Sequence, residues 1–257
     1  LLTIYDIIEK YSDRLPWLQQ SKEINWYRKL IDKIPVKFIQ TQRLMTFKAG
    51  LDKFHSRNRI RYQNTVVEYS EHLRDLIRDK LSDSMSMAQS LDSTYPRRLL
   101  QDQNFKRLDD NELKQLLRET ELLSEKLRKV ELLSKGDNID VTLDAISEDN
   151  RRAISLYLSD SVEKYRNLEP FANKLLLFLD IVNTKFRPQK IVHIRGQKGF
   201  SIGLSDGSSI EPKLLSSGEQ HEIVLLCDLI FFSEQGTLVL IDEPEISLHI
   251  DWQKKFL

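Results

Sequence analysis

The apolar residues of this chain follow three rhythms, each predicting a different kind of element. Between 66 and 91 they fall at Val66, Tyr69, Leu73 and Leu76 and then, one position out of step, at Ile77, Leu81, Ala88 and Leu91. Spacings of mostly three, four or seven predict an amphipathic helix of several turns. A second run, Leu113, Leu116, Thr120, Leu123, Leu127 and Val130, alternates three and four between charged stretches and predicts a heptad seam. A third, Ile154, Leu158, Ser161, Tyr165, Leu168, Ala172, Leu175, Leu179 and Val182, keeps that rhythm after the cap signal Ser147-Glu148-Asp149-Asn150. Pro170 inside it is expected to kink or divide the helix. With breaks near 93–104 and 136–144, these helices can fold back as an antiparallel arm or pack as an ordinary helical bundle, and spacing alone fits both.

After Arg187-Pro188 the period changes to two. Ile191-Val192-His193-Ile194 and Phe200-Ser201-Ile202-Gly203-Leu204, parted by the turn Arg195-Gly196-Gln197-Lys198-Gly199, predict adjacent antiparallel strands, with a further turn at Ser205-Asp206-Gly207-Ser208. A helix is expected over 218–232. Thr237-Leu238-Val239-Leu240-Ile241 is a continuous apolar run of the kind buried in a parallel sheet. Val36-Lys37-Phe38-Ile39-Gln40, after Pro35, predicts another strand. The expected organisation is an α/β fold interrupted by a helical insertion: 1–58 as part of a head and the base of the insertion, 59–187 as the helical arm, and 188–257 as the carboxyl-terminal lobe of the head.

Composition narrows the classes. Among 257 residues, 39 Lys and Arg balance 39 Asp and Glu, so a tail-type or histone-like nucleic-acid binder is disfavoured, whereas a local basic groove is not excluded. With 30% charged residues but only 8 Gly and 7 Pro, the chain favours long solvated helices. Its single cysteine, Cys227, rules out an intrachain disulfide and a multi-cysteine zinc site, which makes the cytoplasm the expected compartment. No apolar run reaches the ~18 residues of a membrane span. The chain opens on Leu1 with no methionine before Met45 and is read as part of a longer protein.

The strongest chemical signal is Leu238-Val239-Leu240-Ile241-Asp242-Glu243-Pro244, an apolar strand delivering two carboxylates at its carboxyl end, where α/β sheets bind ligands. In a Walker B arrangement the first carboxylate, Asp242, holds the Mg²⁺ of a nucleotide and the second, Glu243, polarises the attacking water. Upstream stands Leu215-Ser216-Ser217-Gly218-Glu219-Gln220. Small hydroxyl residues and a glycine opening a helix present backbone amides and the positive end of the dipole to an anion. Alone, such a stretch reads first as an N-cap signal of the kind many helices carry.

Together these residues resemble a family. Leu215 to Gln220 resembles the signature motif of ABC-type ATPases in the form used by the SMC, RecF and OLD relatives. Leu238 to Pro244 resembles their Walker B, and Glu245-Ile246-Ser247-Leu248-His249 is similar to their D-loop. A coiled-coil insertion within the head fits the same plan. Phe38-Ile39-Gln40-Thr41-Gln42-Arg43-Leu44, Leu91-Asp92-Ser93-Thr94-Tyr95-Pro96-Arg97-Arg98 and the run 215–257 look most like the ATPase subunit of Septu and retron-associated anti-phage defence systems. The resemblance implies a head that dimerises around two ATP molecules, as a homodimer or within a higher homo-oligomer. Ser216, Ser217, Gly218 and Glu219 would meet the nucleotide of the opposing subunit, and Ser247 and His249 would lie at the dimer seam. It implies ATP and Mg²⁺ as cofactors, an HNH-type nuclease partner, and association with DNA or with a retron complex of msDNA and reverse transcriptase, but no membrane.

Two departures qualify this. Ser217 stands where many members have glycine, which keeps the backbone amide in place. No Gly-Lys dipeptide occurs, so the phosphate loop G-x-x-x-x-G-K-[ST] is missing. It is expected upstream of Leu1, and the switch histidine beyond Leu257. This piece alone is not expected to hydrolyse ATP. The alternatives are a scaffold that binds nucleotide with little turnover, and an SMC- or RecF-like recombination-repair ATPase. Gln40 and Gln42 are weak candidates for a Mg²⁺-sensing glutamine. Tyr95-Pro96-Arg97-Arg98 could meet phosphates or form a solvated turn. His55, His72, His193, His221 and His249 show no metal-ligand spacing, and Cys227, Trp17 and Trp26 read as packing residues.

Overall fold

A computed structural model describes residues 34–40, 44–50, 59–101, 108–134 and 147–243. The elements in order are β1 (Val36–Ile39), β2 (Met45–Gly50), β3 (Arg59–Asn64), α1 (Thr65–Gln101), α2 (Asp110–Lys129), α3 (Glu148–Phe186), β4 (Lys190–Arg195), β5 (Gly199–Leu204), β6 (Ser209–Ile210), α4 (Ser217–Ile230) and β7 (Leu238–Ile241). The protein is thus a mixed helix and sheet structure with small parallel and antiparallel sheets. It divides into two compact units, Ser70–Glu211 and the pair of segments Leu1–Tyr69 and Pro212–Leu257. No helix among the described residues is long and apolar enough to cross a membrane.

The unit Ser70–Glu211 is built on the heptad seams. Leu113, Thr120, Leu123, Leu127 and Val130 of the second run and Leu158, Ser161, Leu168, Ala172, Leu175 and Val182 of the third are all buried. Leu113, Leu117 and Leu158 form one cluster, with Leu108, Leu116 and Ile154 packed against it. Ion pairs fix the direction of the helices. Asp110 meets Arg151, Glu119 meets Arg166, and Lys126 meets Glu169, so the numbers rise together and α2 runs parallel to α3. Between α1 and α3 they run in opposite senses: Asp92 pairs with Lys164, Arg98 with Asp160, and the Tyr95 hydroxyl donates to the Ala153 carbonyl. The all-antiparallel arm expected from the seams is corrected at α2. The 18 residues that separate α2 from α3 reach at most about 60 Å, twice the ~30 Å length of α2. Nothing therefore forces the hairpin that a short connection would impose.

Two other expectations change. The break proposed from Ser93 lies further on, because α1 stays helical through Pro96 to Gln101. Ser93 and Thr94 hydroxyls donate to the Ser90 carbonyl, and the Arg98 guanidinium donates to that of Leu91. These bonds lie one turn before Pro96, whose missing N–H would have paired with the Asp92 carbonyl. Likewise Pro170 does not divide α3, which is one helix from Glu148 to Phe186, with Leu168 and Phe171 buried on either side. The α2 helix starts in a capping box between Asp109 and Glu112. It ends in a Schellman motif, in which the Leu132 N–H reaches the Leu127 carbonyl and the Glu131 N–H that of Arg128. Glu131 takes the left-handed conformation (φ 55°) that glycine usually fills there.

Strands β4, β5 and β6 form an antiparallel sheet that belongs with the helices, not with the carboxyl-terminal lobe expected over 188–257. The contacts explain why. Asn183 of α3 exchanges two hydrogen bonds with the Val192 backbone, Phe178 packs on Phe200, and the Ser70 hydroxyl donates to the Lys198 carbonyl at 2.7 Å. Gly199 (φ 79°) lies so close to α1 that a Cβ there would sit 1.9 Å from the Ser70 carbonyl oxygen. Only glycine satisfies both the turn and the approach. The expected arm boundary at 59 also moves, since Arg59–Asn64 is a strand paired antiparallel with Met45–Gly50.

In the other unit β1 and β7 pair in parallel, Val36 with Leu238 through Ile39 with Ile241. Both strands were expected, and a parallel setting was expected for β7; that β1 is its partner was not. Full burial of β7 is not found. Paired residues share a face, and the face bearing Val36, Phe38, Leu238 and Leu240 is open, with the last three 42, 47 and 40% exposed.

Candidate functional site

The candidate residues stand at the start of α4 and at the end of β7. Ser216 is the N-cap of α4: its hydroxyl accepts from the Glu219 N–H while the Glu219 carboxylate accepts from the Ser216 N–H at 2.8 Å. This capping box explains the spacing of Ser216 and Glu219. Ser216 and Ser217 are exposed and Gly218 is half-buried, so an acceptor can approach the amides of the first turn. The helix behind them is apolar, and Ile223 to Cys227 are buried.

At the other element the ladder runs one residue beyond β7, since the Asp242 N–H donates to the Ile39 carbonyl at 2.9 Å. Asp242 and Glu243 then emerge exposed. Glu243 adopts φ 45°, a left-handed conformation that costs a non-glycine residue ~1–2 kcal/mol. Strain held at one of two adjacent carboxylates is a mark of functional positions. Among the described residues no three His, Cys, Asp or Glu side chains gather as a metal cluster. The donors at hand are carboxylate oxygens, which fits Mg²⁺, an ion usually held by one or two carboxylates together with phosphate oxygens and water.

A polar anchor ties α4 to β1, the strand paired with β7. Lys37, on the inner face of β1, pairs with Asp228 of α4 at 2.5 Å and donates to the Phe232 carbonyl at 2.9 Å. The Tyr69 hydroxyl also donates to Asp228, and burial first, then the Asp228 charge, pushes its pKa far up, so it stays protonated. Tyr69 meets Phe232 edge-on at 5.4 Å between ring centroids. The last turn of α4 is thereby fixed near the start of β1. The β1 and β7 strands start together, because the Leu238 N–H donates to the Pro35 carbonyl. Ser216 and Asp242 are thus the ends of their elements remote from this anchor. Sequence reading missed Lys37, Tyr69 and Asp228. The available signal was a lone charge in an apolar strand (Lys37) and another in an apolar helix (Asp228).

The remaining candidates separate cleanly. Ser247 and His249 of the D-loop-like stretch, Gln42, His55, Trp17 and Trp26 lie outside the described residues. Gln40 is exposed just past β1. Tyr95 and Arg98 are structural, joined to α3, and Arg97 is exposed. Cys227 is fully buried, and burial pushes its thiol pKa up, so it is a packing residue with little thiolate character. In the helical unit a groove of about 430 Å³ is lined by Glu131, Arg195, Lys198, Ser201 and Ser209. Its Arg195 is already paired with Glu131, and it holds none of the residues singled out by sequence. In comparison with known proteins, no family model and no curated protein matches this chain.

Proposed function

We propose that this chain carries part of an ABC-type ATP-binding head, with the helical unit as its insertion, and that the longer protein dimerises around ATP in the cytoplasm. The observation that carries the reading is the pairing within one unit of an exposed, capped helix start at Ser216 to Gly218 with a strained carboxylate, Glu243, at the end of a parallel strand. Each has a use in phosphoryl transfer.

In this mechanism Asp242 would hold Mg²⁺, which when bound would supply neutralisation of phosphate charge. Glu243 orients a water in line with the γ-phosphorus and draws on its proton. The oxygen of that water bonds to phosphorus as the bond to the β–γ bridging oxygen breaks, giving ADP and inorganic phosphate. Ser216, Ser217, Gly218 and Glu219 belong to the surface that meets the opposing subunit's nucleotide, with Ser247 and His249 at the seam. The helix dipole and the first-turn amides stabilise γ-phosphate charge there. The lysine of a phosphate loop must come from outside these residues. By resemblance, the output is control of an HNH-type partner nuclease in anti-phage defence, with DNA or a retron complex as a further partner.

The test is particle mass of the full-length protein with and without Mg²⁺-ATP, beside Glu243→Gln. The proposal expects ATP to increase the mass and Glu243→Gln to trap the larger species with ATP bound. ATP bound at constant mass in both proteins contradicts the sandwich. ATP bound in one unchanging assembly with no turnover favours the scaffold instead.

A further inference from the structure

We infer that Asn64 and Gln220 are positioning residues for the Ser216 to Gly218 stretch, setting the place from which it meets a nucleotide; this rests on the reading of that stretch given above. A capping box fixes how the first amides of α4 point relative to the helix, but it does not fix the loop that leads into them. Gln220 does. It is only 7% exposed, and it bonds three residues of that loop. Its backbone N–H donates to the Ser216 carbonyl at 2.9 Å. Its side-chain Nε2 donates to the carbonyls of Leu215 at 2.7 Å and Lys213 at 3.1 Å.

With both amide hydrogens committed, Gln220 has its Oε1 left as acceptor, and this takes a hydrogen bond from Asn64 Nδ2 at 3.0 Å. Asn64 in turn cannot rotate, because its Oδ1 accepts from the Val66 N–H at 3.1 Å in the first turn of α1. Each amide thus fixes the orientation of the next, in the order Val66, Asn64, Gln220 and then the loop. The far end of α4 is held separately through Asp228 by Lys37 and Tyr69. With both ends tied, the helix cannot slide to compensate for a change at Asn64.

The chain of bonds supplies an isosteric test. Asn64→Asp keeps the acceptor for Val66, and so keeps the α1 cap, but turns an oxygen toward Gln220 Oε1. Gln220 must then flip and release Leu215 and Lys213, or face a like pair. Gln220→Glu removes the same two donors from the other side while leaving an acceptor for Asn64. In the full-length protein, Mg²⁺-ATP affinity of the monomer and the unfolding midpoint are measured beside ATP-driven association, by titration and by sedimentation. For both variants the expectation is a modest fall in unfolding midpoint from the lost internal hydrogen bonds, with the protein still folded at the assay temperature, unchanged monomer affinity, and association of the folded protein weakened about tenfold.

Equal association in variants and wild type overturns the inference, as does unfolding at the assay temperature or a fall in monomer affinity that accounts for the weakened association. A wild-type protein that does not associate with ATP at all overturns instead the nucleotide reading on which the inference rests.

Discussion

The two units use apolar sequence in opposite ways. In Ser70–Glu211 every heptad run finds its partner within the unit: the seams of α2 and α3 face each other, and their flanks are laced by Asp110–Arg151, Glu119–Arg166 and Lys126–Glu169. In the other unit β1 and β7 bury one face, where Lys37 reaches Asp228, and leave Phe38, Leu238 and Leu240 open on the other. A helical seam specifies one neighbour. A continuous apolar strand specifies neighbours on both faces, and the described residues supply them on one face only. The unit with the more complete core is also the one without candidate chemistry, while the carboxylates and the capped helix start belong to the unit whose sheet is small and half-covered.

This comparison can be broken or sharpened by substitution, beginning with the largest effect. Leu158→Ala, at a fully buried position in the helical cluster, is expected to cost about 2–5 kcal/mol in denaturant unfolding. A loss below ~1 kcal/mol would show that the α2–α3 seam is not closed. Next is Arg98→Ala, which leaves the Asp160 carboxylate, only 6% exposed as a side chain, without its bidentate partner. Because the Arg98 side chain is itself 26% exposed, the expected cost is about 2–3 kcal/mol, below that of a fully buried pair. A double-mutant cycle with Asp160→Asn checks that the two residues act together. Smallest is Leu240→Thr, on the open face of β7, expected to change stability by no more than about 0.5 kcal/mol. A cost approaching that of Leu158→Ala would mean the face is covered in the folded protein, and the contrast between the units would vanish.

These features were unequally legible in the sequence. The three long helices, the β4–β5 hairpin, α4 and the β1 and β7 strands could be read because periodicity and turn residues are local signals. The direction of α2 could not, since a three-four seam is the same read toward either end of its partner. The persistence of α1 past Ser93 was hidden because Pro96 is a local signal overridden by Tyr95 and Arg98 reaching α3. The grouping of β4 to β6 with the helices turns on Ser70 meeting Gly199 and Phe200, a contact between distant parts of the chain. At the candidate site, Asp242, Glu243 and Ser216 were legible as motifs. Their supports were not, because Lys37 and Asp228 lie 191 positions apart and Asn64 and Gln220 lie 156 apart. Pairings at such separation leave no periodicity to read.

The most direct measurement is steady-state Mg²⁺-ATP hydrolysis by the full-length protein beside Glu243→Gln, with bound nucleotide assayed in both. If Glu243 polarises the attacking water, wild type turns over repeatedly, while the variant binds ATP and loses about 10²–10⁴-fold in kcat. Equal rates in the two proteins, or no hydrolysis by either, would contradict the assignment of Glu243 as the catalytic carboxylate.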